Sequence, residues 1–396
     1  MNWDTVELAT VADINPRMPR GLSDDLGATF LPMAAVSEDG QIDYQEERTV
    51  GEVRKGYTYF RRGDVLVAKI TPCFENGKAT KTEALEEEHG FGSTEFHVIR
   101  GNPDELLPQY AFHLIWNPYF RKEATANMTG SAGQKRVPAD FLKRLKIPLP
   151  PIDEQRRIAG ILDAADALRR RRREALAVLD TLPGAIFADM FGDEGETYTL
   201  KQAGTEFRYG TSSKSQDHGV PVLRIPNVIG GDVDLTEIKT VPLSSKEEAR
   251  FALKDGDIVL VRTNGNQAYV GRSAVFMHAK ITGHELADAT WSFASYLIRA
   301  RLKEKQLLPD FVQGFLSSAE GRKQLLASSK TSAGQYNINT ESLGAIRVPK
   351  VLISQQSAFV DRVVEIKKRR SQITAHLTEL ETLFASLQSR AFAGAL

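Results

Sequence analysis

Residues 147–191 constrain this chain more than any other stretch, because they occur a second time at the end of the sequence. Pro148 aligns with Pro349 and Gln155 with Gln356, so the offset between the two copies is 201 residues. A constant offset over so long a stretch indicates an internal duplication rather than two unrelated segments. The chain is therefore predicted to fold as two copies of one structural plan.

Each copy has the spacing of one long helix with a narrow apolar stripe. In the second copy the apolar positions step by three and four, as in a heptad seam. They are Phe359, Val363, Ile366, Ile373, Leu377, Leu380, Phe384 and Leu387, with Arg370 breaking the series. In the first copy the same steps give Ile158, Leu162, Ala165, Arg169, Arg172, Leu176, Leu179 and Ile186. Such a stripe must be buried, so we expect the two helices to pack against each other.

Local signals predict where these helices begin and end. The Pro-rich lead at residues 148–151 fixes the start of the first helix, and Asp153 and Glu154 then suit its N-terminal dipole. Ser354 is the predicted N-cap of the second helix. Pro183 stands where its counterpart is Phe384, which predicts that the first helix kinks or ends there.

The composition is that of a globular protein with two domains. The chain has 396 residues, 41% of them hydrophobic, which exceeds one ordinary core and suits two domains of about 150 residues plus helices. Its one cysteine, Cys73, excludes a disulfide framework or a cysteine-built zinc site and predicts a cytoplasmic protein. No signal peptide or membrane span is predicted. Lys plus Arg equals Asp plus Glu, at 51 each, which argues against nonspecific coating of nucleic acid.

The duplication includes the regions before each helix. Gly63-Asp64 corresponds to Gly256-Asp257 at an offset of 193, whereas Leu107-Pro108 corresponds to Leu308-Pro309 at an offset of 201, so the second region carries an insertion. Strands are predicted at residues 65–70 and 96–99, and a helix at 109–125. The sequence thus predicts an α/β domain at 1–146, a helical region at 147–191, a second domain at 192–346 and a second helical region at 347–396.

Between these matching positions the two domains differ in their polar loops. Residues 69–78 contrast with 262–272, and residues 130–136 with 330–337. All four loops are rich in Lys, Arg, Asn, Gln and Thr, the side chains that contact base edges and phosphates in DNA. A single loop of this kind is most often only a turn. The matched scaffold with different loops is the informative observation.

With this twofold repeat in view, the sequence resembles the specificity subunit of type I restriction-modification enzymes over its whole length. The telling segments are GDVLVAKITPCFENGK, FGSTEFHVIR, GSAGQKRVP, IPLPPIDEQRRIAGILDAADAL with FADMFGD, and the final LFASLQSRAFAGAL. The resemblance implies an α+β fold, in which two α/β target recognition domains are joined by long helices packed as an antiparallel coiled coil. Each domain would read one half of a bipartite duplex DNA target.

The resemblance also implies partners, namely two methyltransferase subunits and outer restriction-translocase subunits. On this basis the predicted DNA-binding residues are Lys69, Thr71, Glu75, Asn76, Lys78, Gln134, Lys135 and Arg136 in the first domain, and Arg262, Asn264, Asn266, Gln267, Lys330, Gln335 and Tyr336 in the second. The basic residues Arg169, Arg172, Lys367 and Arg370 are predicted to bind partners. The alternative for the run at 169–173 is a solvated helix face, because five consecutive residues encircle a helix.

No catalytic motif is recognised in the sequence. WNPYF at residues 116–120 lacks the second Pro of an amino-methyltransferase motif, no phosphate-binding P-loop is present, and the seven His show no metal-ligand spacing. We therefore expect no catalytic residue, metal or cofactor in this chain, with S-adenosylmethionine, ATP and magnesium on the partner subunits. Two alternatives remain: a fused enzyme that methylates DNA by itself, and a coiled-coil scaffold that binds no DNA.

Overall fold

Both long helices predicted from the repeat are present. In this computed structural model, which describes residues 3–131, 133–192, 195–303, 306–332 and 334–396, they span Ile152–Phe191 and Ile353–Phe392 and are 40 residues long each. Asp153 and Glu154 lie in the first turn of the first helix, as expected. Most of the predicted stripe is buried or half-buried, whereas Arg370 is exposed.

One prediction about the helix ends is wrong, and another is wrong in part. The sequence predicts that the first helix kinks or ends at Pro183; it does not end there but continues to Phe191, and the kink stays a prediction. An interior proline costs roughly 3 kcal/mol, which the burial of Phe187 and Phe191 beyond it offsets. Ser354 is not the N-cap, because the second helix already begins at Ile353; instead the side chain of Gln355 accepts a hydrogen bond from the N–H of Leu352 at 3.0 Å.

The chain divides into two compact units. Unit 1 comprises Met1–Arg171 and His376–Leu396, and unit 2 comprises Arg172–Ala375. Each unit therefore contains one α/β region, half of the first long helix and part of the second. The domain boundaries predicted at 147, 192 and 347 follow the sequence repeat, whereas the units follow spatial packing.

Unit 1 contains three antiparallel or mixed sheets and the short helices that cover them. Its strands are β1 Thr5–Glu7, β2 Ala12–Ile14, β3 Gly27–Leu31, β4 Glu46–Thr49, β5 Thr58–Arg61, β6 Val65–Ala68, β7 Ala79–Lys81, β8 His89–Gly92, β9 Phe96–Gly101 and β10 Lys146–Pro148. Its helices are α1 Leu8–Val11, α2 Val50–Val53, α3 Pro108–Ile115, α4 Pro118–Ala126, α5 Ala139–Arg144 and the start of α6 Ile152–Phe191. The strand orders are β2-β9-β6-β7, β4-β3-β8-β5 and β1-β10.

The helix predicted at residues 109–125 is in fact two helices, α3 and α4. They are separated at Asn117, whose side chain caps α4 by accepting a hydrogen bond from the N–H of Tyr119 at 2.8 Å. Pro118 then occupies the first helical position, where its missing N–H costs nothing. The Asn-Pro pair in WNPYF is thus accounted for by helix capping.

Unit 2 repeats this plan with additional short strands. Its strands are β11 Thr197–Thr199, β12 Thr205–Tyr209, β13 Val220–Leu223, β14 Val228–Ile229, β15 Asp232–Val233, β16 Lys239–Val241, β17 Ile258–Val261, β18 Thr263–Asn264, β19 Ser273–Val275, β20 Ser292–Phe293, β21 Leu297–Leu302, β22 Lys330–Ser332, β23 Gln335–Asn337 and β24 Arg347–Pro349. The helices are α7 Ser245–Phe251, α8 Pro309–Ser317, α9 Ala319–Ser328, α10 Thr340–Ala345 and the start of α11 Ile353–Phe392. Its four-stranded sheet, β12-β21-β17-β19, matches β2-β9-β6-β7 of unit 1.

The long helices run antiparallel and complete the core of each unit. In unit 1, Ile158 and Leu162 near the start of α6 share a core with Phe384 and Ala391 near the end of α11. In unit 2 the ends are exchanged, since Phe187 near the end of α6 lies 5.2 Å, ring centroid to ring centroid, from Phe359 near the start of α11. The apolar stripe is thus buried against the other copy of the same helix, as the repeat predicts.

Buried polar contacts repeat at equivalent positions and hold the matched scaffold. Arg100 donates two hydrogen bonds to buried Asp64 at 2.8 and 2.7 Å, and Arg301 donates two to buried Asp257, both at 2.6 Å. The side chain of Gln155 accepts from the N–H of Leu107 at 2.9 Å, and that of Gln356 accepts from the N–H of Leu308, the equivalent residue before α8, at 2.8 Å. Both glutamines are fully buried. These pairs tie each α/β region to its own sheet and long helix.

Candidate nucleic-acid interface

The two polar loops of unit 1 lie side by side. The N–H of Thr71 donates to the carbonyl oxygen of Lys135 at 3.0 Å, and the N–H of Val137 donates to that of Lys69 at 2.9 Å. A single antiparallel bridge joins Ile70 to Arg136. Ala132 lies outside the described residues. The structure therefore brings together the residues that the sequence places in two separate segments.

Their side chains differ in availability. Glu75, Asn76, Gln134 and Lys135 are exposed, whereas Lys69, Thr71, Lys78 and Arg136 are half-buried. Asn76 donates to a carboxylate oxygen of Glu38 at 2.7 Å, and the ammonium of Lys78 donates to the carbonyl oxygen of Met33 at 3.1 Å. The available polar groups of this surface are therefore concentrated on Gln134, Lys135 and Glu75.

Arg136 is held by a carboxylate of the same unit. Its Nε donates to Glu95 Oε2 at 3.0 Å and its Nη2 to Oε1 at 2.7 Å. Hydrogen bonds from Arg136 lower the pKa of Glu95 from its ordinary value, even though burial acts in the opposite direction. The guanidinium is thus oriented in advance, and binding a phosphate through it would require it to share or leave Glu95.

His97 on β9 lies beneath this surface and contacts its second loop. Its Nε2 donates to the carbonyl oxygen of Val137 at 2.8 Å, because a carbonyl can only accept, and its Nδ1 then accepts from Asn15 at 3.1 Å. Burial lowers the pKa of His97 and favours this neutral ring. The second loop of unit 1 is therefore attached to the central sheet by a hydrogen bond that does not depend on charge.

In unit 2 the corresponding loops form a small sheet of their own. β18, β23 and β22 pair in that order, with Thr263 opposite Asn337 and Lys330 also opposite Asn337. Thr263 donates to the side-chain oxygen of Gln335 at 3.2 Å. Ala333 lies outside the described residues. Adjoining segments thus carry the predicted DNA-binding residues of unit 2, which are Arg262, Asn264, Asn266, Gln267, Lys330, Gln335 and Tyr336.

The polar side chains of this loop pair are ordered by local contacts. Asn264 accepts from the N–H of Asn266 at 2.8 Å, and Asn266 accepts from that of Ala268 at 3.0 Å. The guanidinium of Arg262 stacks over the ring of Tyr209 at 4.7 Å. Lys330, Gln335 and Asn266 are exposed, whereas Tyr336 packs against the core of the unit.

The basic residues predicted to bind partners are engaged within their own units. Arg169 is mostly buried, bonds to Asp166 at 3.1 Å and lies over the ring of Phe384 at 4.2 Å. In unit 2, Lys367 pairs with Asp232 at 3.1 Å and Arg370 with Asp180 at 2.7 Å. Arg172 is half-buried. Their role in partner binding stays a prediction. Within the run at 169–173, the contacts of Arg169 support the helix pair of unit 1.

Sequence reasoning missed residues that border both loop pairs. Glu95 and Tyr296 directly precede β9 and β21, and Tyr209 is the last residue of β12. Glu95 lies within the segment FGSTEFHVIR, but only the contacts of these three residues show that they border the loops. The offset of 201 places Glu95 opposite Tyr296, and in both units the carbonyl oxygen at this position accepts from the first loop: from the N–H of Lys69 at 2.8 Å and from that of Arg262 at 2.9 Å. That shared position was the available signal.

The described residues contain no group of three or more His, Cys, Asp or Glu side chains placed to hold a metal ion. No helix among them is long and apolar enough to cross a membrane.

The first part of the sequence matches a known protein family. The family profile described as the type I restriction modification DNA specificity domain matches residues 1–177. Residues 1–177 are therefore similar to this DNA specificity domain. The matched region covers the α/β region of unit 1 and the first half of α6, and the internal repeat extends the same plan to the remainder.

Individual family members are similar over different lengths. The specificity subunits of the Escherichia coli type I restriction enzymes EcoEI and EcoAI are 45% and 41% identical over 160 and 194 residues, or 40% and 46% of this chain. These matches span 27% and 33% of the two relatives' lengths. The EcoKI specificity subunit of E. coli K12 is 27% identical over 319 residues, 74% of this chain and 67% of its own.

Solved structures share the fold. A chain from a structure of the type I R-M system, described for its complex assembly and conformational transition, superposes with a TM-score of 0.60 at 18% identity and covers 100% of this chain and 98% of that one. The S subunit from M. genitalium gives a TM-score of 0.52 at 14% identity, with 99% and 96% coverage. The fold expected from the repeat, two α/β regions with long paired helices, is thereby confirmed.

Proposed function

We propose that this chain is the DNA-reading subunit of a type I restriction-modification complex, in which each unit reads one half of a bipartite duplex target. The observation that carries the proposal is the contrast within the repeat: the buried pairs Asp64–Arg100 and Asp257–Arg301 match, whereas the adjoining polar loops differ. Matched scaffolds with different Asn, Gln, Lys and Arg side chains suit two different DNA words.

In this proposal the residues divide by role. Exposed amides such as Asn76, Gln134, Asn266 and Gln335 contact base edges in the major groove, and Lys135 and Lys330 contact phosphates. A bidentate contact by Asn76, Asn266 or Gln335 replaces the hydrogen bond that its amide makes within the chain. Methylation and cleavage belong to two methyltransferase subunits and to restriction-translocase subunits, which bring S-adenosylmethionine, ATP and magnesium. The chain itself contributes no catalytic residue.

We also propose that the long helices set the distance between the half-sites. Residues 154–181 at 1.5 Å each extend about 40 Å, roughly one turn of B-DNA plus a little. After the base pairs under each unit are subtracted, an unread gap of about 5 to 8 base pairs follows.

The test is to co-express the full chain with its cognate methyltransferase subunit and map methylated positions across a host genome. The proposal expects a two-part asymmetric motif with a fixed gap. Methylation by the chain alone would favour the fused enzyme, and the absence of new methylation with a proven active partner would contradict the proposal.

An insertion of four residues after Ala175 tests the role of the helices in the same assay. It adds about 6 Å and returns the apolar stripe close to its partner, whereas two residues would turn it to the opposite side. We expect the gap to lengthen by about one or two base pairs with both half-site words unchanged. An unchanged gap would show that the helices do not set it.

A further inference from the structure

Unit 2 contains a cleft beside its loop pair that the sequence did not predict. It has a volume of about 460 Å³ and is lined on one side by residues 211–215 and on the other by residues 294–296. Both ends of the first segment are fixed, because the N–H of Thr211 donates to Phe293 and that of Gln216 donates to Thr240, each at 2.9 Å to the carbonyl oxygen. The segment between them, Ser-Ser-Lys-Ser, forms a wall over the cleft.

The cleft is directly connected to a predicted DNA-binding residue. The N–H of Arg262 donates to the carbonyl oxygen of Tyr296 at 2.9 Å, and its guanidinium donates to that of Ser295 at 3.4 Å. The rim of the cleft and the first loop of unit 2 are therefore fixed relative to each other. A duplex lying across that loop would pass within reach of the cleft.

The chemistry of the lining favours a sugar-phosphate backbone over a base edge. The lining side chains include the hydroxyls of Thr211 and several serines, the cations Lys214 and Arg224, and the ring of Tyr296, which is 59% exposed. Among the lining residues there is no Asn, Gln, Asp or Glu. Hydroxyls, cations and tyrosine all donate to phosphate oxygens, and the amide and carboxylate side chains that read adenine and cytosine are absent from this lining.

One cation of this cleft retains unused donor capacity. Arg224 pairs with Glu237 through Nη2 at 3.2 Å, while its Nε is buried and has no hydrogen-bond partner among the described residues. A buried donor without a partner costs about 1 to 3 kcal/mol. An anionic oxygen bound in the cleft near this guanidinium would reduce that cost.

Unit 1 is built differently at the equivalent place. There β2 ends at Ile14, whereas β12 continues to Tyr209. The residue at the offset of 193 from Thr211 is Met18, which packs on a small core of unit 1. Glu95 stands in place of Tyr296, and its carboxylate is occupied by Arg136. A carboxylate at this position would repel a phosphate.

We propose that the cleft between residues 211–215 and Tyr296 is a subsite for the sugar-phosphate backbone of duplex DNA, present in unit 2 and replaced in unit 1 by the Glu95–Arg136 pair. This inference rests on the proposed function. The subsite contributes affinity without sequence preference. It makes the half-site under unit 2 the more salt-sensitive of the two.

The test uses the full chain with its methyltransferase subunit and a fluorescent duplex carrying the methylated motif. Affinity is measured by anisotropy over a series of salt concentrations for wild type, Lys214→Ala and Tyr296→Glu. One phosphate contact contributes a slope of about −0.9 and about fivefold in affinity near 0.15 M salt. Lys214→Ala should lose both, and Tyr296→Glu should weaken binding further by repulsion, with the mapped motif unchanged. The matched control is Lys201→Ala. Lys201 is exposed and precedes the start of β12, whereas the cleft segment follows the end of that strand, so this variant should leave the slope unchanged.

The outcomes separate the cleft from the underlying function. If wild type binds and Lys214→Ala binds with the same slope and affinity, the subsite is wrong while the proposed function stands. If Lys214→Ala changes the methylated word, the cleft reads bases and the backbone assignment is wrong. If wild type shows no salt-dependent affinity for the duplex, the proposed function fails and the subsite with it. Thermal unfolding of each variant verifies that the fold is intact.

Discussion

Units 1 and 2 share a buried framework but differ on the surface that it supports. In unit 1 an ion pair, Arg136 with Glu95, fixes the second loop. In unit 2 a three-stranded sheet fixes the loops, and Arg262 stacks on Tyr209. The carbonyl at position 95 or 296 accepts the same backbone hydrogen bond in both units, while the side chain above it is a carboxylate in one and an exposed phenol in the other.

This difference shows which features of a recognition scaffold are constrained. A buried charge must keep its partner, because an unpaired one costs several kcal/mol, and so both Asp–Arg pairs persist. Exposed loop side chains carry no such penalty when they change, so the surface can diverge without loss of fold. The predictions below test whether the framework is energetically equivalent in both units and whether the surfaces act separately.

The largest expected effect comes from breaking the buried ion pairs. Asp64→Asn or Asp257→Asn leaves Arg100 or Arg301 without a carboxylate and should destabilise the affected unit by roughly 3 to 5 kcal/mol. Because the geometry of both pairs matches, the two losses of unfolding free energy should be similar. They are measured by urea unfolding, monitored in each unit by hydrogen exchange. Asp153→Asn, at a 95% exposed side chain, is the control and should change stability by less than about 1 kcal/mol, the contribution of an exposed charge at a helix N-terminus. A large effect in one unit alone would show that the scaffolds are not equivalent.

A smaller effect should come from Asp163, which exists in one unit only. Burial acts to raise its pKa, but hydrogen bonds from His113 at 2.9 Å and Lys81 at 2.8 Å outweigh burial and lower it to about 2. The corresponding residue of unit 2 is Val364, which is exposed. Asp163→Asn should cost about 1 kcal/mol at pH 7, a value reduced by solvent screening of the 39% exposed carboxylate.

The sign of the pH dependence follows from the lowered pKa. The stabilisation is fully present above the unfolded value of about 3.9 and is lost as pH falls through the folded value. The stability gap between wild type and Asp163→Asn should therefore narrow from about pH 4 downward. Val364→Asp in unit 2, where neither a Lys nor a His occupies the equivalent positions, should give no gain; a gain would contradict the assignment of the effect to Lys81 and His113.

The smallest expected effect on stability is that of Glu95→Gln. It releases Arg136 from a partly exposed pair and should cost less than about 1 kcal/mol. The pKa of Glu95 is lowered, so this contribution is present at neutral pH and is lost below about pH 4. The freed guanidinium should tighten binding of the first half-site by less than about tenfold. Weaker binding would indicate that the ion pair orients Arg136 for contact.

The repeat and its heptad spacing were enough to predict the long helices and their packing against each other, because one narrow stripe leaves few places to bury it. The α+β fold class and the antiparallel pairing followed from the family resemblance. The same reasoning failed at Pro183, where the burial of Phe187 and Phe191 decides the helix length, and at the break between α3 and α4. It grouped the polar loops correctly but could not identify Glu95 and Tyr296. Their importance depends on strand pairing between distant segments, which sequence spacing does not encode.

The most direct test of separate reading is methylation mapping of one loop variant in each unit. Asn76→Ala together with Gln134→Ala should relax the first half of the motif, and Asn266→Ala together with Gln335→Ala the second, each substitution costing roughly 1 to 3 kcal/mol of discrimination. The account predicts that each pair alters one half only and leaves the gap unchanged. If either pair altered preference in both halves equally, the two units would not be independent readers.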